Sequence, residues 1–80
     1  MEGSLKKVRA AAEAAGVPEH LIEKMLSNAE SDHSFFGSES EAPANSRAQE
    51  AVQRLITAGI SMGPDAHMTI VCELQHYFMS

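Results

Sequence analysis

Eighty residues with a formal charge of −5 and one cysteine set narrow limits. A chain of this length makes one domain at most and buries only about 60% of its unfolded surface, so a disulfide, a metal or self-association commonly completes such a core. One cysteine excludes an internal disulfide, no uncharged apolar run approaches the ~20 residues of a membrane span, and an acidic chain is repelled by phosphate backbones. The lone Cys72 fits a reducing compartment, and the opening Met1-Glu2-Gly3-Ser4 is too polar for a signal peptide. The expectation is a cytoplasmic protein without a membrane segment.

The charge is unevenly placed. Residues 1–18 carry Lys6, Lys7 and Arg9 against Glu2 and Glu13, a net of +1. Residues 19–41 carry Glu19, Glu23, Glu30, Asp32, Glu39 and Glu41 against Lys24, a net of −5. From 42 onward Arg47 and Arg54 stand against Glu50, Asp65 and Glu73, a net of −1. The acidic middle suits a basic surface on another protein, and it also serves solubility.

In chain order, Ser4 is placed to cap a first helix with Leu5, Val8, Ala11, Ala12 and Ala15 along one side. Gly16 stops it where a left-handed residue is needed, Val17 folds back on the last turn, and Pro18 suits the first position of a second helix. Leu21, Ile22, Met25, Leu26 and Ala29 then form a one-sided stripe. From about 31 to 46 serine, glycine, proline and acid dominate, which reads as a flexible acidic loop. Phe35 and Phe36 stand out in it, either as a contact tucked into the core or as an aromatic docking segment.

Ser46 and Gln49 have capping-box spacing for a third helix, with Ala48, Ala51, Val52, Leu55 and Ile56 inward. Gly59 and Ile60 repeat the Gly16-Val17 device, and Met62-Gly63-Pro64 turns the chain into a fourth helix over 64–80. On that helix Tyr77, Ile70, Leu74, Phe78 and Val71 fall within an arc of about 120°. Met68, Cys72 and Met79 make a second apolar strip, separated from the first by Gln75 alone. Together they span roughly 220°, more than the ~100° that one-sided packing uses. The alternation in Met68, Ile70, Cys72 and Leu74 also fits a strand, but only Leu55 to Met62 and Ser34 to Phe36 offer it a neighbour, and the first reads better as the end of a helix. The predicted fold is all-α: four short helices in two hairpins, completed by dimerisation.

The stretch from Val8 to Ser27, VRAAAEAAGVPEHLIEKMLS, has a small residue at Ala12, a turn at Gly16 and buried positions at Ile22 and Met25. In this it resembles the helix-turn-helix of small DNA-binding regulators. The resemblance covers a quarter of the chain and implies that the second helix would enter a major groove, presenting Pro18, Glu19, His20, Glu23 and Lys24, with Ser27 and Asn28 beyond.

Cys72 and His76 share a helix face with Glu73 beside them, whereas a four-ligand metal site would need His20, His33 or a second chain. The Cys–His pair has no third group or oxyanion element near it, so no catalysis and no cofactor are expected. The residues point to binding of another protein. The expected class is a small acidic inhibitor or antiactivator that masks a partner's interface, such as that of a transcription regulator. The residues expected to carry binding are Met68, Cys72, Gln75, Phe78, Met79, Glu19, Glu23, Phe35 and Phe36. The alternative is a helix-turn-helix regulator using residues 8–27.

Overall fold

Among the described residues, four α-helices make up the fold: α1 (Gly3–Ala14), α2 (Glu19–Phe36), α3 (Glu41–Thr57) and α4 (Pro64–Met79). The computed structural model describes residues 3–80, so Met1 and Glu2 of the polar opening lie outside it. No strand occurs among the described residues, and no helix there is long and apolar enough to cross a membrane. The chain is a small all-α protein.

Both glycine stops form as expected. Gly16 adopts φ 81°; its N–H donates to Glu13 O at 3.0 Å and Val17 N–H donates to Ala12 O at 3.0 Å. This is the paired bonding of a Schellman end, and it brings Val17 down onto the core. Gly59 and Ile60 repeat it at the end of α3. Ser4 stands inside α1 rather than capping it, and Pro18 is the residue before α2 rather than its first turn.

The expected loop over 31–46 is largely helical. α2 runs on to Phe36, α3 begins at Glu41, and only 37–40 connect them. Two features account for this. Ala29, His33 and Phe36 continue the three-and-four spacing of α2, and Ala44 precedes Ala48 by one turn, so both inner faces extend into the polar stretch. Pro43 does no harm, because the N–H groups of a helix's first turn have no intrahelical acceptor. Ser46 therefore lies inside α3, and its capping box with Gln49 does not form.

Gly37 ends α2 at φ 70° and ψ −159°, a region that is essentially glycine's alone. Its N–H donates to His33 O at 2.8 Å. An added Cβ would meet nothing nearby, so the strain of substitution is purely backbone. Gly37→Ala is expected to lower unfolding stability by about 1–3 kcal/mol, measured by urea denaturation. A loss under about 0.5 kcal/mol would mean that the connector relaxes freely.

α4 is the element on which the others pack. It makes its broadest contacts with α3 and α1 and smaller ones with α2, while α1 and α2 touch less than a hairpin pair would. All five residues of its expected inner arc, Ile70, Val71, Leu74, Tyr77 and Phe78, are buried. They meet Leu5, Val8 and Ala12 of α1, the Ile22–Ala29 stripe of α2, and Ala44, Ala48, Val52 and Leu55 of α3 in one core cluster. Small alanines on α1 and α3 permit the close approach of α4. No polar side chain is buried among the described residues. Ile56, expected inside, is 44% exposed, because Val52 and Leu55 take the inward positions of that turn.

Candidate functional site

α4 has one side in the core and another open. Met68 is 65% exposed and Met79 39% exposed, with Cys72 also exposed and Gln75 half-buried between them. These four side chains form an uncharged outward strip from one end of the helix to the other. Gln75 Oε1 accepts from Asn45 Nδ2 at 2.8 Å, which ties the strip to α3, and its Nε2 lies 3.9 Å from Met79 Sδ.

Phe78 does not belong to this surface. It is 1% exposed and among the largest fully buried side chains, so its expected role as a contact residue is replaced by one in the core. Its position, 100° round from Tyr77 and 100° short of Met79, puts it on the far edge of the inner arc. The two aromatics of the former loop behave differently. Phe35 is 81% exposed and Phe36 half-exposed at the end of α2, in an edge-to-face contact with ring centroids 4.8 Å apart. They are not tucked into the core cluster.

Phe36 has a cation over its face. The Arg47 guanidinium carbon lies 3.9 Å from the ring centroid, and the same guanidinium forks onto Glu39, with Nε donating to Oε1 at 2.9 Å and Nη2 to Oε2 at 2.8 Å. The hydrogen bond to Glu39 is the main cause of a raised Arg47 pKa. These two side chains are 19% and 14% exposed, so this pair is better shielded from solvent than the other ion pairs.

The same corner caps α4. Glu39 N–H donates to Phe78 O at 3.0 Å and Ser38 Oγ donates to Met79 O at 2.8 Å. His33 Nε2 lies 2.9 Å from Ser80 O, a bond made with the ring proton on Nε2, while the ring packs against Tyr77 at 4.7 Å. Three backbone oxygens left over at a helix end thus find donors from the last turn of α2 and the α2–α3 connection. This holds Phe35, Phe36 and Met79 at one end of the molecule.

Glu19 and Glu23 lie elsewhere. About 18 Å of helix separates Glu23 from Phe35. Arg9 of α1 donates from Nη1 to Glu19 Oε2 and from Nη2 to Glu23 Oε2, each at 2.6 Å. The hydrogen bond from Arg9, and then one shared with Glu19, hold the Glu23 carboxyl below its ordinary value. Two of the residues that the helix-turn-helix resemblance would turn toward DNA, Glu19 and Glu23, are thus bonded to Arg9.

A carboxylate with a depressed folded value stabilises above its unfolded value, and that contribution is lost as pH falls through the folded one. Arg9→Met should thus melt below the wild type at neutral pH, and the gap should close below the ordinary carboxylate range. Melting curves of both proteins from neutral pH to about pH 2 check this. A gap of constant size across that range would contradict it.

His76 Nδ1 stands 3.9 Å from Glu73 Oε1 on the flank of the strip, but no three His, Cys, Asp or Glu side chains converge as a metal site among the described residues. A further feature, absent from the sequence expectations, is a cleft of about 180 Å³ between α2 and α3. No family model, curated protein or solved structure matches this chain.

Proposed function

We propose that this chain is a small regulatory protein that works by binding protein, as an inhibitor or antiactivator and not as a catalyst. The observation that carries this is the outward strip of α4. Its residues Met68, Cys72, Gln75 and Met79 are spaced four, three and four apart, the spacing of a coiled-coil seam. The spacing is also symmetric about the midpoint between Glu73 and Leu74. A second copy laid antiparallel across it, related by a two-fold axis, sets Met68 against Met79 and Cys72 against Gln75 in both directions. An uncharged strip is also where two copies of a chain with charge −5 approach at least electrostatic cost.

The seam is only about 16 Å long and one helix wide, which falls short of the ~1,200 Å² of a stable complex. Such a homodimer exchanges readily. Inhibition then follows by substitution: the strip leaves its copy and covers the equivalent strip of a partner, while the Phe35–Phe36 corner adds aromatic anchors. The acidic segment 19–41 steers the chain to a partner with a basic surface, such as the dimerisation or nucleic-acid-binding surface of a transcription regulator.

The test is a photo-crosslinking amino acid at Met79, and separately at exposed Lys7 on α1 as control, expressed in the host cell. The expected outcome is a discrete adduct with one other protein from position 79, absent from position 7, alongside the self-adduct. Self-adduct alone, or the same adducts from both positions, would sink the inhibitor role.

A further inference from the structure

The cleft between α2 and α3 has a different character from the α4 strip. The backbones of these two helices stay apart, because each leans on other elements of the bundle. Met25, Ala29, Leu55 and Phe78 make an apolar floor, and Lys24 of α2 and Arg54 of α3 stand on the rim. Near the connector Asp32 acts on Arg47, which is already committed to Glu39. Lys24 and Arg54 carry no ion pair among the described residues. Three of the six Lys and Arg residues of an acidic chain thus border one cleft, and two of them are uncommitted.

We propose that this cleft receives an apolar anchor side chain from a helix of a partner protein, with carboxylates beside that anchor meeting Lys24 and Arg54. Size limits the occupant to about one aromatic or branched group, which is what a partner's anchor side chain would supply. Sites for whole small ligands run from about 300 to 1,000 Å³, and about 180 Å³ suits a single aromatic or branched side chain. Charge decides the flanks, since an acidic protein that leaves two cations at an apolar opening is complementary to acid there. A helix seated on α2 and α3 would place its anchor in the cleft and residues three and four positions away over the two lips. This inference rests on the protein-binding reading, but it uses a surface separate from the α4 strip.

The probe is an alanine-based helical peptide with one Phe and Glu four residues before and three after it. It is titrated into the full ¹⁵N-labelled chain while amide shifts are followed. The expected result is a shift set centred on Met25, Ala29, Ala51 and Leu55, with affinity falling as salt rises. Replacing both Glu by Gln in the peptide should weaken binding about five-fold, and the double variant Lys24→Gln, Arg54→Gln should do the same while keeping its amide spectrum. No shifts at those amides, or equal binding of the Gln peptide, would overturn the proposal. Binding of free 3-phenylpropanoate as tight as that of the peptide would also overturn it, by making the occupant a small carboxylic acid. Each of these results leaves cross-linking from position 79 unaffected, so this site and the inhibitor role fail separately.

Discussion

Phe78→Ala should cost about 3–5 kcal/mol of unfolding stability, the range for emptying a fully buried phenylalanine site. The ring is 1% exposed, lies on the α4 face that meets the other three helices, and forms part of the α2–α3 cleft floor. Its neighbours are in no position to close the gap, because Tyr77 is held against His33 and the Phe78 carbonyl is fixed by Glu39 N–H. For a domain whose whole margin is about 5–15 kcal/mol, the variant should be substantially unfolded on mild warming. Urea unfolding followed by circular dichroism measures this, with Met68→Ala expected within about 0.5 kcal/mol of wild type as the surface control. A Phe78→Ala protein that folds with wild-type stability but fails to associate would return this residue to the binding surface and contradict the core assignment.

Met79→Asp should have the opposite signature: association lost, fold kept. In the proposed two-fold seam each Met79 faces Met68 of the other copy, so the substitution puts one carboxylate into the apolar layer at each end of the seam, with no cation to meet it. Removing an unpaired charge from water costs several kcal/mol, more than so short a seam supplies. The helix itself loses little, because Met79 is partly exposed and lies outside the core cluster. A carboxylate in the last turn of a helix does oppose the helix dipole, by roughly 0.3–1 kcal/mol. Met79→Lys separates the two effects: lysine is favourable to the dipole there but equally fatal to the seam. Both variants should keep the far-ultraviolet signal and lose the bismaleimide cross-link between Cys72 residues. Those cysteines sit only about 4.5 Å apart along the seam in the antiparallel register. Cross-linking that persists in both variants would mean the copies meet elsewhere.

Much of the fold was legible because α4 obeys a single rule. Ile70, Val71, Leu74, Tyr77 and Phe78 share one arc at the helical period, and all five are buried. The glycine stops were equally plain, since Gly16-Val17 and Gly59-Ile60 each provide a left-handed residue followed by an apolar one. In the 31–46 stretch composition hides the spacing: Ala29, His33 and Phe36 continue α2, and Ala44 and Ala48 open α3, beneath a surface of serine and acid. The open strip of Met68, Cys72, Gln75 and Met79 was visible as surplus apolar arc. Phe78 falls by the same period into the inner arc with Ile70 and Leu74, and its burial at 1% exposure separates it from that strip. The cleft between α2 and α3 has no sequence signature, since it arises from how far apart two helices stand when both pack elsewhere.

The most direct measurement is the solution mass of the wild-type chain by light scattering behind a sizing column, over a wide dilution range. The α4 strip, if it pairs copies weakly, should give a mass rising from 8.6 kDa toward twice that value as concentration increases. Met79→Asp should hold the mass at 8.6 kDa throughout. A wild-type mass fixed at 8.6 kDa at every concentration would contradict pairing through α4.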